Sequence, residues 1–188
     1  MGRKLLKAFE DELKKIKNDD LRNITKELLT ECSDKTATAP TSSTGKYHPE
    51  WSLGEGGLVR HSKAVCVVAE TFMKQMPAYD GEDWDVPYIA AMLHDCCKYT
   101  YPGQKWVHYE HPILMAEKIR ERAKNENEEI SKKLNRIADC VASHMSRWDT
   151  NPKTGEKCGT TPETIEQWIV AMADMIVAQK WIKIDGIG

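Results

Sequence analysis

Leu5, Leu6, Phe9, Leu13 and Ile16 repeat at helical spacing with charged residues between them, and Leu21, Ile24, Leu28 and Leu29 continue the pattern. This spacing predicts two amphipathic helices at the start of the chain. From Leu58 onward, His61, Val65, Val68 and Phe72 share one helical stripe. The apolar stretch 87–93 runs into His94. Residues 112–123 and 126–143 predict two further helices, the first opening at Pro112, a favoured first helical position. A last helix is expected to start at Pro162 and run to about Trp181. No segment sustains the apolar/polar alternation of a strand, so the expected class is all-α. Two polar stretches interrupt the helices: 33–57, rich in Ser, Thr, Pro and Gly, and 146–161. Both are long for connections inside a compact domain and read as functional loops, the first a possible lid.

A chain of 188 residues fits one compact domain with a core of its own. The expected division is 1–32 for N-terminal helices packed on the core, 33–57 for the loop, and 58–188 for the core itself. With 27 Lys and Arg against 29 Asp and Glu the formal charge is −2, so any attraction for phosphate is local rather than global. The six cysteines include no CxxC pair and read as reduced thiols. No apolar run reaches about 18 residues and the N-terminal stretch lacks a signal-peptide core, so a cytoplasmic protein without a membrane span is expected. The oligomeric state is open at this level.

The chemistry lies where polar residues interrupt the most apolar helices. Asp174 sits inside IleValAlaMetAla-Asp-MetIleValAla, and a buried carboxylate must be protonated, paired or metal-bound. His94-Asp95 follows IleAlaAlaMetLeu, and His144 follows an equally apolar run. A lone histidine on an apolar stripe is ordinarily a hydrogen-bonded core residue. Together, however, His61, His94, Asp95, His111, His144 and Asp174 offer four imidazoles and two carboxylates on different helical segments. That donor set suits Mn, Fe, Zn, Ni or Co rather than the all-oxygen shells of Ca or Mg, and six N/O groups exceed what a structural zinc needs. A dinuclear, catalytic centre with two divalent transition-metal ions is the expectation. His108, three residues before His111, is the alternative donor there; the His-Pro helix entry favours His111. Lys46, Tyr47, His48 and Trp51 in the first loop, with Arg147 and Trp148 in the second, are candidates for stacking a base and gripping phosphate. Aromatic residues in loops also serve simply as anchors.

The ordered set His61, His94-Asp95 and Asp174 resembles the signature of the HD-domain superfamily of metal-dependent phosphohydrolases, over roughly residues 47–181. GlyGlyLeuValArgHis at 56–61 and AlaAsp at 173–174 strengthen the likeness, and His111 and His144 look like the added histidines of its binuclear branch. The resemblance implies a compact helical fold with the metal site in the bundle core. It implies one ion on His61, His94, Asp95 and Asp174, a second on His111, His144 and the other oxygen of a bridging Asp95, and a metal-activated hydroxide as nucleophile. His94-Asp95-Cys96-Cys97-Lys98 is similar to the family's HD-x-G-K with Cys97 in place of Gly. Lys98 resembles a phosphate-contacting lysine, and equally suits a solvated cation at a helix end. The expected function is cleavage of a phosphate ester in a small substrate, a nucleotide or an oligonucleotide end, with Asp95 and Lys98 carrying the chemistry. Alternatives are a mixed-valent di-iron oxygenase using the same ligands, or a metal-stabilised nucleotide-binding module without catalysis.

Overall fold

The computed structural model describes residues 3–79, 81, 83–100 and 103–183; the first two and last five positions of the expected segments lie outside them. Among the described residues the chain is helical, apart from an isolated antiparallel bridge between Thr150 and Lys157. The helices are α1 (Arg3–Ala8), α2 (Glu10–Lys14), α3 (Asp19–Glu31), α4 (Asp34–Thr38), α5 (Gly57–Gln75), α6 (Asp85–Leu93), α7 (His111–Ala123), α8 (Glu128–Ser143) and α9 (Ile165–Val177). None of them is long and apolar enough to cross a membrane.

Side-chain caps set several of the starts. Asn18 accepts the Leu21 N–H at 2.9 Å ahead of α3, and Asn127 accepts the Ile130 N–H at 3.0 Å ahead of α8, each satisfying a donor that has no partner within its helix. The last helix begins at Ile165 rather than at Pro162, because Thr164 and Gln167 form a reciprocal capping box there. It also stops at Val177, short of Trp181; beyond it the chain turns so that the Ile182 carbonyl accepts the Trp51 indole N–H at 3.0 Å. The first predicted helix is broken in two at Phe9, whose φ of −102° and ψ of 17° leave α geometry while its ring stays buried beside Leu5 and Leu13.

One apolar cluster runs from Leu5 in α1 to Val177 in α9. Every residue of α6 is buried, which makes it the central rod. Asp85, at its first turn, accepts the backbone N–H groups of Lys17 and Asn18 at 2.8 Å each, tying the α2–α3 link to the bundle. Helices α5 and α9 run antiparallel: His61 meets Asp174 within the pair, while Trp51, before α5, meets Ile182, after α9.

The stretch 33–57 is more structured than a bare loop. It holds α4 and a 3-10 turn, Glu50–Ser52, and it is fastened to the start of α5. Arg60 donates to the carbonyls of Trp51, Leu53 and Glu55 at 2.8–2.9 Å, and Thr41 Oγ1 donates to those of Ser52 and Gly57 at 2.8 and 3.0 Å. Gly57 is required by this closeness, since a Cβ there would lie 2.0 Å from the Ser52 carbonyl oxygen.

Candidate metal centre

Helix ends deliver most of the donors. His94 and His144 are the C-cap residues of α6 and α8, and His111 opens α7. A helix leaves its last carbonyls without intrahelical partners. His94 Nδ1 meets the Ala91 carbonyl at 2.8 Å and His144 Nδ1 meets that of Val141 at 2.7 Å, so each ring satisfies one of them. His111 Nδ1 likewise meets the His108 carbonyl at 2.6 Å. A carbonyl only accepts, so these three contacts place the proton on Nδ1 and turn the Nε2 lone pairs toward one buried point. A backbone or carboxylate partner behind a ligating imidazole is the usual arrangement in metal sites.

All of the six donors converge there. His61 and His94 are fully buried, Asp95 and His144 are 1 % exposed, His111 is 3 % exposed, and the Asp174 side chain is 19 % exposed. Asp95 stands between two groups. Its Oδ2 lies 3.3 Å from His94 Nε2 and 3.8 Å from His61 Nε2, while its Oδ1 lies 3.1 Å from His111 Nε2 and 3.6 Å from His144 Nε2. Asp174 Oδ1 completes the first group, 2.9 Å from His61 Nε2 and 3.8 Å from His94 Nε2.

The electrostatics favour positive charge at this point. Burial works to raise the Asp95 and Asp174 carboxyls, yet the surrounding cationic and imidazole groups hold both well below the usual carboxylate range: His94 and Lys98 above all at Asp95, His61 at Asp174. Burial opposes charge on His94 too, but the adjacent Asp95 carboxylate raises its pKa. Burial lowers His61, and lowers His111 to about 4, so these two imidazoles stay neutral and available as ligands near pH 7.

Two observations test whether a cation fits. His94 Nε2 and Asp95 Oδ1 are buried without a hydrogen-bond partner, and such atoms are costly unless something satisfies them. In addition, His111 Nε2 and His144 Nε2 face each other at 3.3 Å while both Nδ1 positions carry the protons, so two lone pairs point into the same small space. A cation between them and Asp95 Oδ1 removes that repulsion, and the nitrogen-plus-carboxylate donor set matches a transition-metal ion.

A family model described as the HD domain matches residues 58–179, nearly two thirds of the sequence. The chain belongs to the HD-domain family. Membership places it in a superfamily of metal-dependent hydrolases, in agreement with the two overlapping donor groups His61/His94/Asp174 and His94/Asp95/His144. Comparison with curated proteins and with solved structures returned no match.

The remaining candidates of this HD domain separate clearly. Lys98 is not a solvated helix-end cation: its side chain is 12 % exposed and Nζ lies 2.6 Å from Asp95 Oδ2. His48 comes into the site from the first loop, its ring packed edge-on against His61 with centroids 5.4 Å apart. Burial, with the nearby Lys98 charge, lowers its pKa to about 3. His108 contributes its carbonyl to His111, while its ring Nε2 meets Thr100 Oγ1 at 3.0 Å. Trp51 is half-buried against the core with its N–H engaged by Ile182. Lys46, Tyr47, Arg147 and Trp148 are exposed. Sequence reasoning passed over Lys105 and Trp106, which lie just ahead of His111; the repeat of a cation-aromatic dipeptide, as in Lys46-Tyr47 and Arg147-Trp148, was the available signal.

Proposed function

We propose that this HD domain is a phosphohydrolase that cleaves a phosphate ester of a nucleotide or of an oligonucleotide end, using two divalent transition-metal ions. The observation that carries the reading is the division of labour at Asp95, whose two oxygens face two different histidine pairs. His61, His94, Asp174 and Asp95 Oδ2 would hold one ion, and His111, His144 and Asp95 Oδ1 the other. Bound ions supply an activated water and neutralise charge gathering on phosphorus during in-line attack.

The protein's own groups complete the chemistry. Lys98, whose Nζ pairs with Asp95 Oδ2 at 2.6 Å, would receive a non-bridging phosphate oxygen. His48, packed edge-on against His61, would help to exclude bulk water from that side of the centre. No cysteine is suited to act as a covalent nucleophile: all six are buried, and burial pushes the Cys66 and Cys140 thiols up, away from the reactive thiolate. The test is a screen of Mn(II)-loaded protein against nucleotide monoesters, triphosphates, cyclic dinucleotides and short single strands, reading released phosphate or cleaved ends. Turnover that disappears in Asp95→Asn supports the proposal. Oxygen uptake by Fe(II)-loaded protein with no phosphoester cleaved under any metal would overturn it.

A further inference from the structure

Three loops lead into the metal centre, and each carries a cation followed by a solvent-facing aromatic ring. Lys46-Tyr47 immediately precede His48, Lys105-Trp106 precede His111, and Arg147-Trp148 follow His144. Tyr47 is 65 % exposed, and Trp106 and Trp148 are each 63 % exposed. The loop backbones are nonetheless fastened. Val107 N–H donates to Ser43 Oγ at 3.0 Å, Gln104 Nε2 donates to the carbonyls of Lys98 and Trp106 at 2.8 and 2.6 Å, and Asn151 Nδ2 donates to Glu110 Oε1 at 3.0 Å. An aromatic ring that only anchors a loop is covered by the fold, as Trp51 is. These three rings leave most of their surface in water, and each directly follows a cation in sequence. Lys46 Nζ lies 5.0 Å from the Tyr47 ring centre and Arg147 lies 5.4 Å from that of Trp148.

A ring with a cation beside it matches one nucleotide unit, the base stacking on the ring and the phosphate meeting the charge. A mononucleotide has one base and engages one such pair. A duplex keeps its base faces stacked on each other and offers none to a protein ring. Three pairs spread over the three loops fit a strand whose bases are unpaired. We infer that the centre takes a single-stranded oligonucleotide, its bases stacked on Tyr47, Trp106 and Trp148 and its backbone threaded past Lys46, Lys105 and Arg147. The inference rests on the phosphohydrolase reading for the fate of the strand, not for its binding.

Binding is therefore measured apart from turnover, by tryptophan fluorescence of the purified full chain titrated with a ten-residue oligothymidylate, with thymidine monophosphate, and with a ten-base-pair duplex. The single strand is expected to bind at least about 100-fold more tightly than the monophosphate and at least about tenfold more tightly than the duplex. Trp106→Ala and Trp148→Ala are each expected to weaken strand binding on the order of 5- to 100-fold, the range for loss of one stacked base. Trp168→Ala, which removes an exposed ring on α9 rather than in one of these loops, is expected to leave it unchanged. Equal affinity for strand and monophosphate, equal affinity for strand and duplex, or wild-type affinity in both loop variants would overturn the inference. Ester cleavage without strand preference would do the same while leaving the hydrolase reading in place. Strand binding that depends on the rings, with no ester cleaved, would sustain the inference and sink that reading.

Discussion

Two buried regions of this molecule have opposite chemistry. Around α1–α3, Leu5, Phe9, Leu13, Ile16, Leu21, Ile24, Leu28 and Leu29 are all 4 % exposed or less, and the polar group among them is satisfied locally: Thr25 Oγ1 donates to the Leu21 carbonyl at 2.7 Å. Around α5–α9 the interior holds four imidazoles and two carboxylates, with His94 Nε2 and Asp95 Oδ1 left without partners. The first region is built mainly of apolar groups, which ask only to leave water. The second contains groups that lost water and gained incomplete replacement, so it calls for something from outside. Burial alone did not mark the functional site; the gathering of buried imidazole and carboxylate atoms at one point did.

The sharpest way to break this contrast is Asp95→Asn, which keeps size while removing the charge both donor groups face. Phosphoester hydrolysis is expected to fall by several orders of magnitude and metal content to drop by at least one ion per chain, with the helical circular-dichroism signal unchanged. Elemental analysis and a turnover assay check it together; retention of both metals and of substantial activity would remove Asp95 from the bridging role.

The converse change belongs in the apolar region. Leu28→Ala should lower unfolding free energy by about 2–5 kcal/mol in urea titrations, with metal stoichiometry the same as wild type. If metal were lost instead, the two regions would not be independent.

Lys98→Ala tests the border between the chain's charges and its substrate. Turnover is expected to drop by roughly 10- to 1,000-fold with metal content intact, as for loss of one positioned charge. Wild-type kcat/KM would show that its pairing with Asp95 has no bearing on the reaction.

The smallest effect is on pH dependence. His111 and His48 have folded-state pKa values of about 4 and about 3, below the ordinary value of 6.5 for an unfolded chain. Between these limits the unfolded state binds more protons, so stability rises with pH across that window and is lost on acidification. The raised pKa of His94 acts in the opposite sense, and only above 6.5. Metal-depleted protein should thus lose about 1.4 kcal/mol per pH unit for each of His111 and His48 as pH falls from 6.5 toward 4.5. His111→Asn should remove one share of that slope; an equal shift in urea midpoint between pH 6.5 and pH 5 for wild type and variant would show that His111 contributes nothing to it.

Much of this was legible in one dimension. Helical periodicity places the long helices to within a few residues, and misses arise where a local device outweighs it: the capping box that delays α9 to Ile165, and the unwinding at Phe9 that keeps its ring in the core. The donors were legible because a charge inside an all-apolar helix has few explanations. Lys98 was ambiguous from sequence, since its spacing from His94 suits either a substrate contact or a solvated helix end; only the path of the turn after α6 brings Nζ to Asp95. Trp106 repeats the cation-aromatic dipeptide of Lys46-Tyr47 and Arg147-Trp148, but only the structure shows that its ring is exposed.

The sequence by itself determined the helical class, the apolar stripes that build the core and the six candidate donors, because period and side-chain type are properties of neighbours along the chain. The tertiary structure alone decided that Asp95 faces both histidine pairs, that three imidazoles give their Nδ1 protons to backbone carbonyls and aim Nε2 inward, and that three cation-aromatic pairs stand in loops leading to one centre. Those are relations between segments remote in sequence, and they exist only once the helices have packed, because packing sets where each helix ends and which way its last side chain turns.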